Sequence, residues 1–523
     1  MLQNEDHAPW VVQKYGGTSV GKFLDVITGD IVSSWLQNYR VVVVCSARSG
    51  ETKAKGTTNR QVVSKILRAR QAYVSLHRLL AAAESALTPG CVKYKTLIEI
   101  ILQDHLDVAK KEIRDREILT QLEQELTFEC DKISRFLDAA KIIDEVSPKS
   151  KDIIMSLGEK LACEIVAAAL RDKGIDAEYL SLANIIDRDF EILDQPFYDY
   201  LSERFAQAID ACGSKIPVVT GFFGPVPGSL LSSIGRGYTD LCAALCAVGL
   251  NAEELQIWKE VDGIFTADPR KVATARLLPI ITPEEAAELT YYGSEVIHPF
   301  TMEQVIRAGV PIRIKNVENP KGAGTVIFPD QSQAASGAST PQLHSPKLLL
   351  DNGYHLDLTR RHPTAITIKD NVIILNVHSN KKTISHGFFA QIFSTLDRYG
   401  IVVDLISTSE VHISMALGIE STALGRDLEK AIVELRRLGT VSLSRNMAIL
   451  SLVGKQMRNL VGISGKMFST LAKANVNIEM ISQGASEINI SCVVAEKHAM
   501  RAMQCIHEEL LSAHPRIDSD DFL

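Results

Sequence analysis

One stretch of this chain is written twice. Phe393–Ser407 reads FSTLDRYGIVVDLIS and Phe468–Ser482 reads FSTLAKANVNIEMIS, 75 positions further on, while SEVHIS from Ser409 returns as SEINIS from Ser486. A duplication constrains the fold more tightly than propensity does, because both copies must bury the same apolar pattern with the same turns. Each copy reads as strand, turn, helix, strand, hairpin, strand. That order predicts two ferredoxin-like βαββαβ units, over residues 366–441 and 442–523.

Ahead of the repeat, 329–365 begins PDQSQAASGASTPQLHSPK, a Ser-, Ala-, Gln- and Pro-rich text that predicts a linker. Residues 1–328 alternate short β-branched runs with longer helical ones. The expected strands are Trp10 onward, VVVVCS at Val41–Ser46, IPVVTGF at Ile216–Phe222, LQIWKEV at Leu255–Val261 and VPIRIKNV at Val310–Val317. Helices are expected from about Asn59 to Lys141 and around Glu159–Lys173. Strands separated by helices predict an α/β fold with a mostly parallel central sheet covered on both faces.

Composition narrows the partners. The net charge is −7 and there is no long Lys/Arg run, which argues against a nucleic-acid partner. No apolar stretch approaches the ~20 residues of a membrane span, and Met1–Trp10 is polar and acidic rather than signal-like. The nine cysteines are scattered without a CxxC pair, so reduced thiols and a cytoplasmic setting are expected. Cys242 and Cys246 are helix-spaced but sit in the apolar run LCAALCAVGL, which reads as core rather than metal site.

The first strand runs into Lys14, Gly16, Gly17, Thr18 and Ser19. A strand ending in paired glycines turns backbone N–H groups toward an anion, and Lys14 adds a point charge. The spacing of Gly16, Gly21 and Lys22 imitates a Walker loop, but Phe23 stands where the magnesium-binding hydroxyl is required. Five further segments carry polar residues in patterned settings. SARSGETKAKGTTNR (Ser46–Arg60) is a hydroxyl- and base-rich loop at a strand's end. In MSLGEKLACEIVAAAL, Ser156 and Glu159 have capping-box spacing. The loop ending GRGYTD leads into an apolar helix, with Asp240 or Thr239 as its N-cap or, flanked by Arg236 and two glycines, an anion site. WKEVDGIFTADPRKV (Trp258–Val272) contains an Asp-Gly and an Asp-Pro turn. Finally, Thr282, Pro283 and Glu285 read as a helix cap, and His298 before Pro299 as a loop residue.

In this order and over nearly the whole chain, these segments resemble the aspartate kinases of the amino-acid kinase superfamily, most closely the fungal single-function type. The resemblance implies a three-layer amino-acid kinase domain over 1–328 followed by paired ACT domains. It implies transfer of the γ-phosphoryl of ATP to the side-chain carboxylate of L-aspartate, with Mg²⁺ carried largely by phosphates and waters. Lys14 and Asp240 match the catalytic pair, an essential lysine and the acid that orients it. Gly16, Gly17, Thr18 and Ser19 match the phosphate-holding loop, and Lys259, Glu260, Phe265 and Arg270 fall where relatives contact the nucleotide. For the acceptor, Arg236 suits the α-carboxylate, Glu159 the ammonium, and Thr58 matches a hydroxyl contact. No protein-only metal site is expected.

In the repeats, Ser385, Gly387, Asp404, Ser409 and Glu410 match an amino-acid effector pocket, with Asn477, Gln483 and Glu487 in the comparable region of the second copy. The resemblance implies a homodimer or higher homo-oligomer inhibited by an end product, threonine favoured over lysine. One departure stands out. Many relatives carry a nucleotide-contacting lysine in GAK-x-x-HP, where this chain has Glu295 within Gly293–Pro299. A kinase of another small acceptor, or an amino-acid sensor without turnover, are the competing readings.

Overall fold

The computed structural model describes residues 1–49, 74–87, 93–234, 237–291, 297–328, 362–379, 387–409, 412–418, 422–455, 457–484 and 488–512. They form two compact units. The first comprises 1–263 and 297–329; the second comprises 264–296 and 330–523. Residues 264–296, expected within the first domain, thus group with the C-terminal unit through packing that no local pattern reveals.

In the first unit, β1 (Trp10–Tyr15), β2 (Arg40–Cys45), β3 (Ala177–Leu180), β4 (Ile216–Thr220), β5 (Glu254–Lys259), β6 (Ile312–Asn316) and β7 (Thr325–Ile327) lie in the order β3-β4-β2-β1-β5-β6-β7. All neighbours are parallel except β6 and β7. The helices include α1 (Gly17–Lys22), α2 (Val74–Ala86), α3 (Lys93–Glu112), α4 (Arg116–Ile143), α5 (Pro148–Asp172), α6 (Gln195–Asp210) and α7 (Tyr238–Gly249).

Local chemistry explains their bounds. Asp115 caps α4 by accepting from the Glu117 and Ile118 N–H groups, and Ser147 caps α5 with Pro148 at its first position. The helix therefore starts eleven residues before Glu159, so the capping role that Ser156 and Glu159 suggest is incorrect. Both lie mid-helix, and Ser156 instead donates to the Ile153 carbonyl at 2.7 Å.

Strand alternation divides the core between the sheet's faces. Val41, Val43 and Cys45 of β2 pack with Tyr15 of β1 and the apolar face of α5. Val42 and Val44 are equally buried and face the other way. Lys14 precedes Tyr15 and pairs in register with Val44, so its side chain leaves on that second face.

The second unit holds α8 (Pro283–Tyr291), β8 (Ala365–Ser379), α9 (Phe388–Arg398), β9 (Leu405–Thr408), β10 (His412–Gly418), α10 (Thr422–Leu435), β11 (Gly439–Val453), α11 (Ile463–Lys473), β12 (Met480–Ser482), β13 (Asn489–Ala495) and α12 (Glu496–Ile506). The strands form one antiparallel sheet, β9-β10-β8-β11-β13-β12. Helix α10 buries Leu428, Ala431, Ile432 and Leu435, and α12 buries Ala499, Ala502, Met503 and Ile506, the i, i+3, i+4, i+7 stripe of a helix lying on a sheet.

The repeats share their strands. The second half of β8 opens the first copy, whereas its first half, from Ala365 to Lys369, pairs with Ile449–Val453 and completes the second. Long β11 likewise spans the expected boundary at 441/442. Both strands kink at an asparagine in the left-handed region, Asn371 (φ 60°) and Asn446 (φ 59°), where the register shifts. The two βαββαβ copies thus lie in one continuous sheet with exchanged edges.

Candidate active site

The loops that follow β1, β2, β4 and β5 all leave the parallel sheet at its carboxyl edge, on either side of β1, where open α/β sheets bind ligands. Lys14 is the penultimate residue of β1 and is only 8% exposed. Its Nζ lies 2.6 Å from Oδ1 of Asp240, in the first turn of α7. A helix N-terminus is a favourable place for a carboxylate facing a lysine.

After β1 the chain turns at Gly16 and enters α1. A Cβ at Gly17 would stand 2.2 Å from the Ala47 carbonyl oxygen, and one at Gly21 would stand 2.1 Å from that of Ser49. Only glycine permits this approach of the two loops. The Ser49 N–H donates to the Gly17 carbonyl at 2.9 Å, and the Ser49 hydroxyl donates to Thr18 Oγ1 at 3.3 Å. Ser19 donates to Oε1 of Glu260, just beyond β5, at 2.9 Å. Lys14, Thr18, Ser19, Asp240 and Glu260 therefore meet at one edge, and Lys259 ends β5 beside them in the chain.

Glu159 lies deep behind this edge, 2% exposed. Its Oε2 accepts from the Phe222 N–H at 3.0 Å and its Oε1 from the Thr239 hydroxyl at 2.7 Å, with the Tyr238 hydroxyl and Gly221 N–H nearby. Burial raises its pKa to about 7, although these donors favour the ionised form. The carboxylate thus fastens the loop after β4 to the start of α7. Thr239, a candidate N-cap by its position, is instead a partner of Glu159, and Tyr238, Phe222 and Ser49 join the site from the strings GRGYTD, TGFF and SARS, where no local spacing marks them. Nearby, Tyr198, Ser233, Ile234, Gly237, His298, Phe300 and Thr301 line a cavity of about 160 Å³. His298 is an exposed loop residue preceding the helix Pro299–Arg307, as expected.

Thr58, Arg236, Glu295, Ser385, Glu410 and Glu487 lie outside the described residues. Phe265 and Arg270 belong to the second unit. Arg270 is 88% exposed through its side chain and forked onto Asp268, so it faces water.

The effector residues sit at turns and strand ends of the second unit. Gly387 precedes α9 with φ 86°, and Gly462 precedes α11 with φ 81°, a matched pair 75 positions apart. Extending the repeat a few residues upstream would have found Gly462. Asp404 and Ser409 flank β9; Asp404 Oδ1 holds Lys369 Nζ at 2.6 Å, and the Ser409 N–H donates to the His412 carbonyl at 2.8 Å. Gln483 accepts from the Ser464 hydroxyl at 3.1 Å, and Asn477 donates to Glu479 at 2.9 Å. Among the described residues no group of three or more His, Cys, Asp or Glu is arranged to hold a metal ion, and no helix is long and apolar enough to cross a membrane.

Residues 9–316 match the Amino acid kinase family and residues 450–510 the ACT domain. The chain is 54% identical to the aspartokinase of Schizosaccharomyces pombe, over 98% of this chain and 94% of that protein. It is 52% identical to the aspartokinase of Saccharomyces cerevisiae, over 97% and 93%. The chain belongs to the aspartokinase family. It is accordingly a kinase, a phosphoryl-transferring enzyme of the amino acid kinase fold. Among solved structures, Escherichia coli aspartokinase III in complex with lysine and aspartate superposes with a TM-score of 0.71 at 26% identity, covering 96% of this chain and 99% of that one. The same enzyme with aspartate and ADP gives 0.68.

Proposed function

We propose that this enzyme transfers the γ-phosphoryl of ATP to the β-carboxylate of L-aspartate, giving 4-phospho-L-aspartate and ADP. The observation that carries the reading is the pair of buried Lys14 and half-buried Asp240 at the mouth of the glycine-lined turn. Phosphoryl transfer asks a protein for position and neutralisation rather than covalent chemistry. Lys14 spans the transferring phosphate, the N–H groups of Gly16–Ser19 cradle it, and Asp240 aims the lysine without taking a proton, because the attacking carboxylate is already ionised. ATP brings Mg²⁺ on its phosphates, which supplies charge neutralisation, and the oxygens of Asp240 and Glu260 suit water-mediated contact with a hard cation.

Lys259, Glu260, Phe265 and Arg270 keep the nucleotide role that family membership gives them. Arg236 forks onto the acceptor's α-carboxylate and Thr58 supplies a hydroxyl. Glu159 takes the ammonium, which displaces the Tyr238 or Thr239 hydroxyl from its oxygens. The E. coli enzyme solved with aspartate and ADP supports this substrate pair.

The expected domains are a catalytic domain over 1–328, a linker over 329–365 and ACT domains over 366–441 and 442–523. We infer that the ACT region binds an end-product amino acid through Ser385, Gly387, Asp404, Ser409, Glu410, Asn477 and Gln483. Threonine is preferred to lysine: Lys369 already balances the charge of Asp404 through Oδ1, so a cationic side chain finds little net negative charge there, while the unpartnered Oδ2 can accept from a hydroxyl. The enzyme opens threonine and methionine biosynthesis, works as a homo-oligomer and resides in the cytoplasm, where its free thiols stay reduced.

ADP release measured with aspartate, glutamate and other small acceptors, each with and without threonine or lysine, tests the proposal. Aspartate-dependent turnover lowered by threonine is expected. Turnover with another acceptor alone would overturn the substrate, and none with any acceptor would favour a sensor.

A further inference from the structure

Five residues past Glu260 the chain forms a narrow loop within the second unit. Thr266 donates its N–H to the Arg276 carbonyl at 2.9 Å, Leu278 donates to Ile264 at 2.8 Å, and Phe265 bridges Leu277. Successive side chains on extended backbone face opposite ways. Thr266 is therefore buried on one side while half-buried Phe265 presents the other.

The buried side is fastened to the end of the second repeat. His507, fully buried just after α12, has Thr266 Oγ1 2.8 Å from Nε2 and Thr274 Oγ1 3.3 Å from Nδ1. The Thr266 oxygen accepts from the Arg276 N–H at 3.0 Å, which frees its own hydrogen for Nε2. Hydrogen-bond accounting then places the ring proton on Nδ1, donated to Thr274. Burial, and Arg276 beside it, lower the His507 pKa and keep the ring neutral, as this arrangement requires.

Other ties follow the same path. The Ile366 N–H donates to the Thr266 carbonyl at 2.8 Å, Gln504 to the Lys271 carbonyl at 2.9 Å, and Arg276 to the Leu511 carbonyl at 2.9 Å. Ala267 and Val272 enter the apolar cluster that holds Met503 and Ile506.

We propose that His507 is a positioning residue for the nucleotide: by clamping Thr266 and Thr274 it sets the loop that carries Phe265 and Arg270, so ATP affinity is set from the end of the second repeat. This rests on the nucleotide role proposed above for Phe265 and Arg270. His507 touches no substrate, and removing it leaves the machinery for the acceptor intact.

The test uses the full-length enzyme, with KM for MgATP and for aspartate measured separately and a melting curve for each variant. His507→Leu removes both ring bonds and is expected to raise KM for MgATP about tenfold, with KM for aspartate within about twofold. His507→Gln restores a donor and an acceptor at similar reach and is expected to recover most of the loss. A purely structural role would move both KM values together and would not be rescued. Phe265→Ala is run alongside. If it raises KM for MgATP while a well-folded His507→Leu does not, the clamp is refuted and the nucleotide reading stands. If Phe265→Ala leaves KM for MgATP unchanged, the nucleotide reading fails and this proposal with it. Should His507→Leu not fold, Thr274→Val, which removes the longer bond alone, is expected to raise KM for MgATP about threefold, and an unchanged value overturns the proposal.

Discussion

The parallel sheet of the first unit and the antiparallel sheet of the second bury polar groups of different kinds. At the carboxyl edge of the parallel sheet the buried groups are ionisable: Lys14 and Glu159, with Asp240 beside them. Within the antiparallel sheet they are hydroxyls and an amide, such as Ser451 bonded to Ser491 at 2.7 Å and Asn489 alongside. Burying charge is expensive unless it is paired, whereas a hydroxyl pair across two strands is close to neutral. The first region therefore holds charges in fixed places to meet a phosphate. The second keeps polar groups that fix register, and its ion pair of interest, Lys369–Asp404, lies at a strand end.

Removing Lys14 tests the charged edge most severely. Lys14→Ala leaves Asp240 half-buried without its cation and takes the neutralising charge from the transferring phosphate. A fall in kcat of at least about 100-fold is expected, with the folded spectrum retained, measured by coupled ADP release. Activity close to that of the unaltered enzyme would show that the pair is structural only.

Glu159 gives an effect of intermediate size that depends on pH. Its folded pKa, about 7, lies above the ordinary carboxylate value, so below pH 7 the free enzyme holds it protonated, and only the ionised form attracts an ammonium. KM for aspartate should fall as pH rises through about 7, by up to about tenfold per unit on the acid side, and Glu159→Gln should flatten that profile while raising KM. A parallel profile in the variant would remove Glu159 from the acceptor site.

The smallest effect sharpens the contrast from the regulatory side. Lys369→Met frees the Asp404 carboxylate, so inhibition should shift from threonine toward lysine by a few-fold, about the 1 kcal/mol of a partly exposed ion pair. Basal turnover should hold. Unchanged half-inhibitory concentrations of both amino acids would detach that pair from effector choice.

Local patterns made much of this legible. The β-branched runs announced β1, β2, β4, β5 and β6, and the glycines after Tyr15 announced a close approach, because both signals act within a few residues. The cap of α8 was legible too: Glu285 accepts from the Thr282 N–H at 3.1 Å, as their spacing suggests. What stayed hidden arises from distant chain. Glu285 also accepts from Thr364 and from the Lys455 N–H, ties 79 and 170 residues away, which accompany the grouping of 264–296 with the C-terminal unit. Likewise the Ser156–Glu159 spacing imitated a helix start, while the true signal was the less conspicuous Ser147-Pro148. Short β3 and β7 lacked the length to be distinguished from coil.

The exchanged edges of the antiparallel sheet have an evolutionary corollary. Because residues ahead of the first copy complete the second, neither copy can be deleted, transplanted or allowed to drift by itself without stripping its twin of an edge. Duplication made two modules; the shared strands made them a single heritable element, so sequence change in one half must be answered by the other.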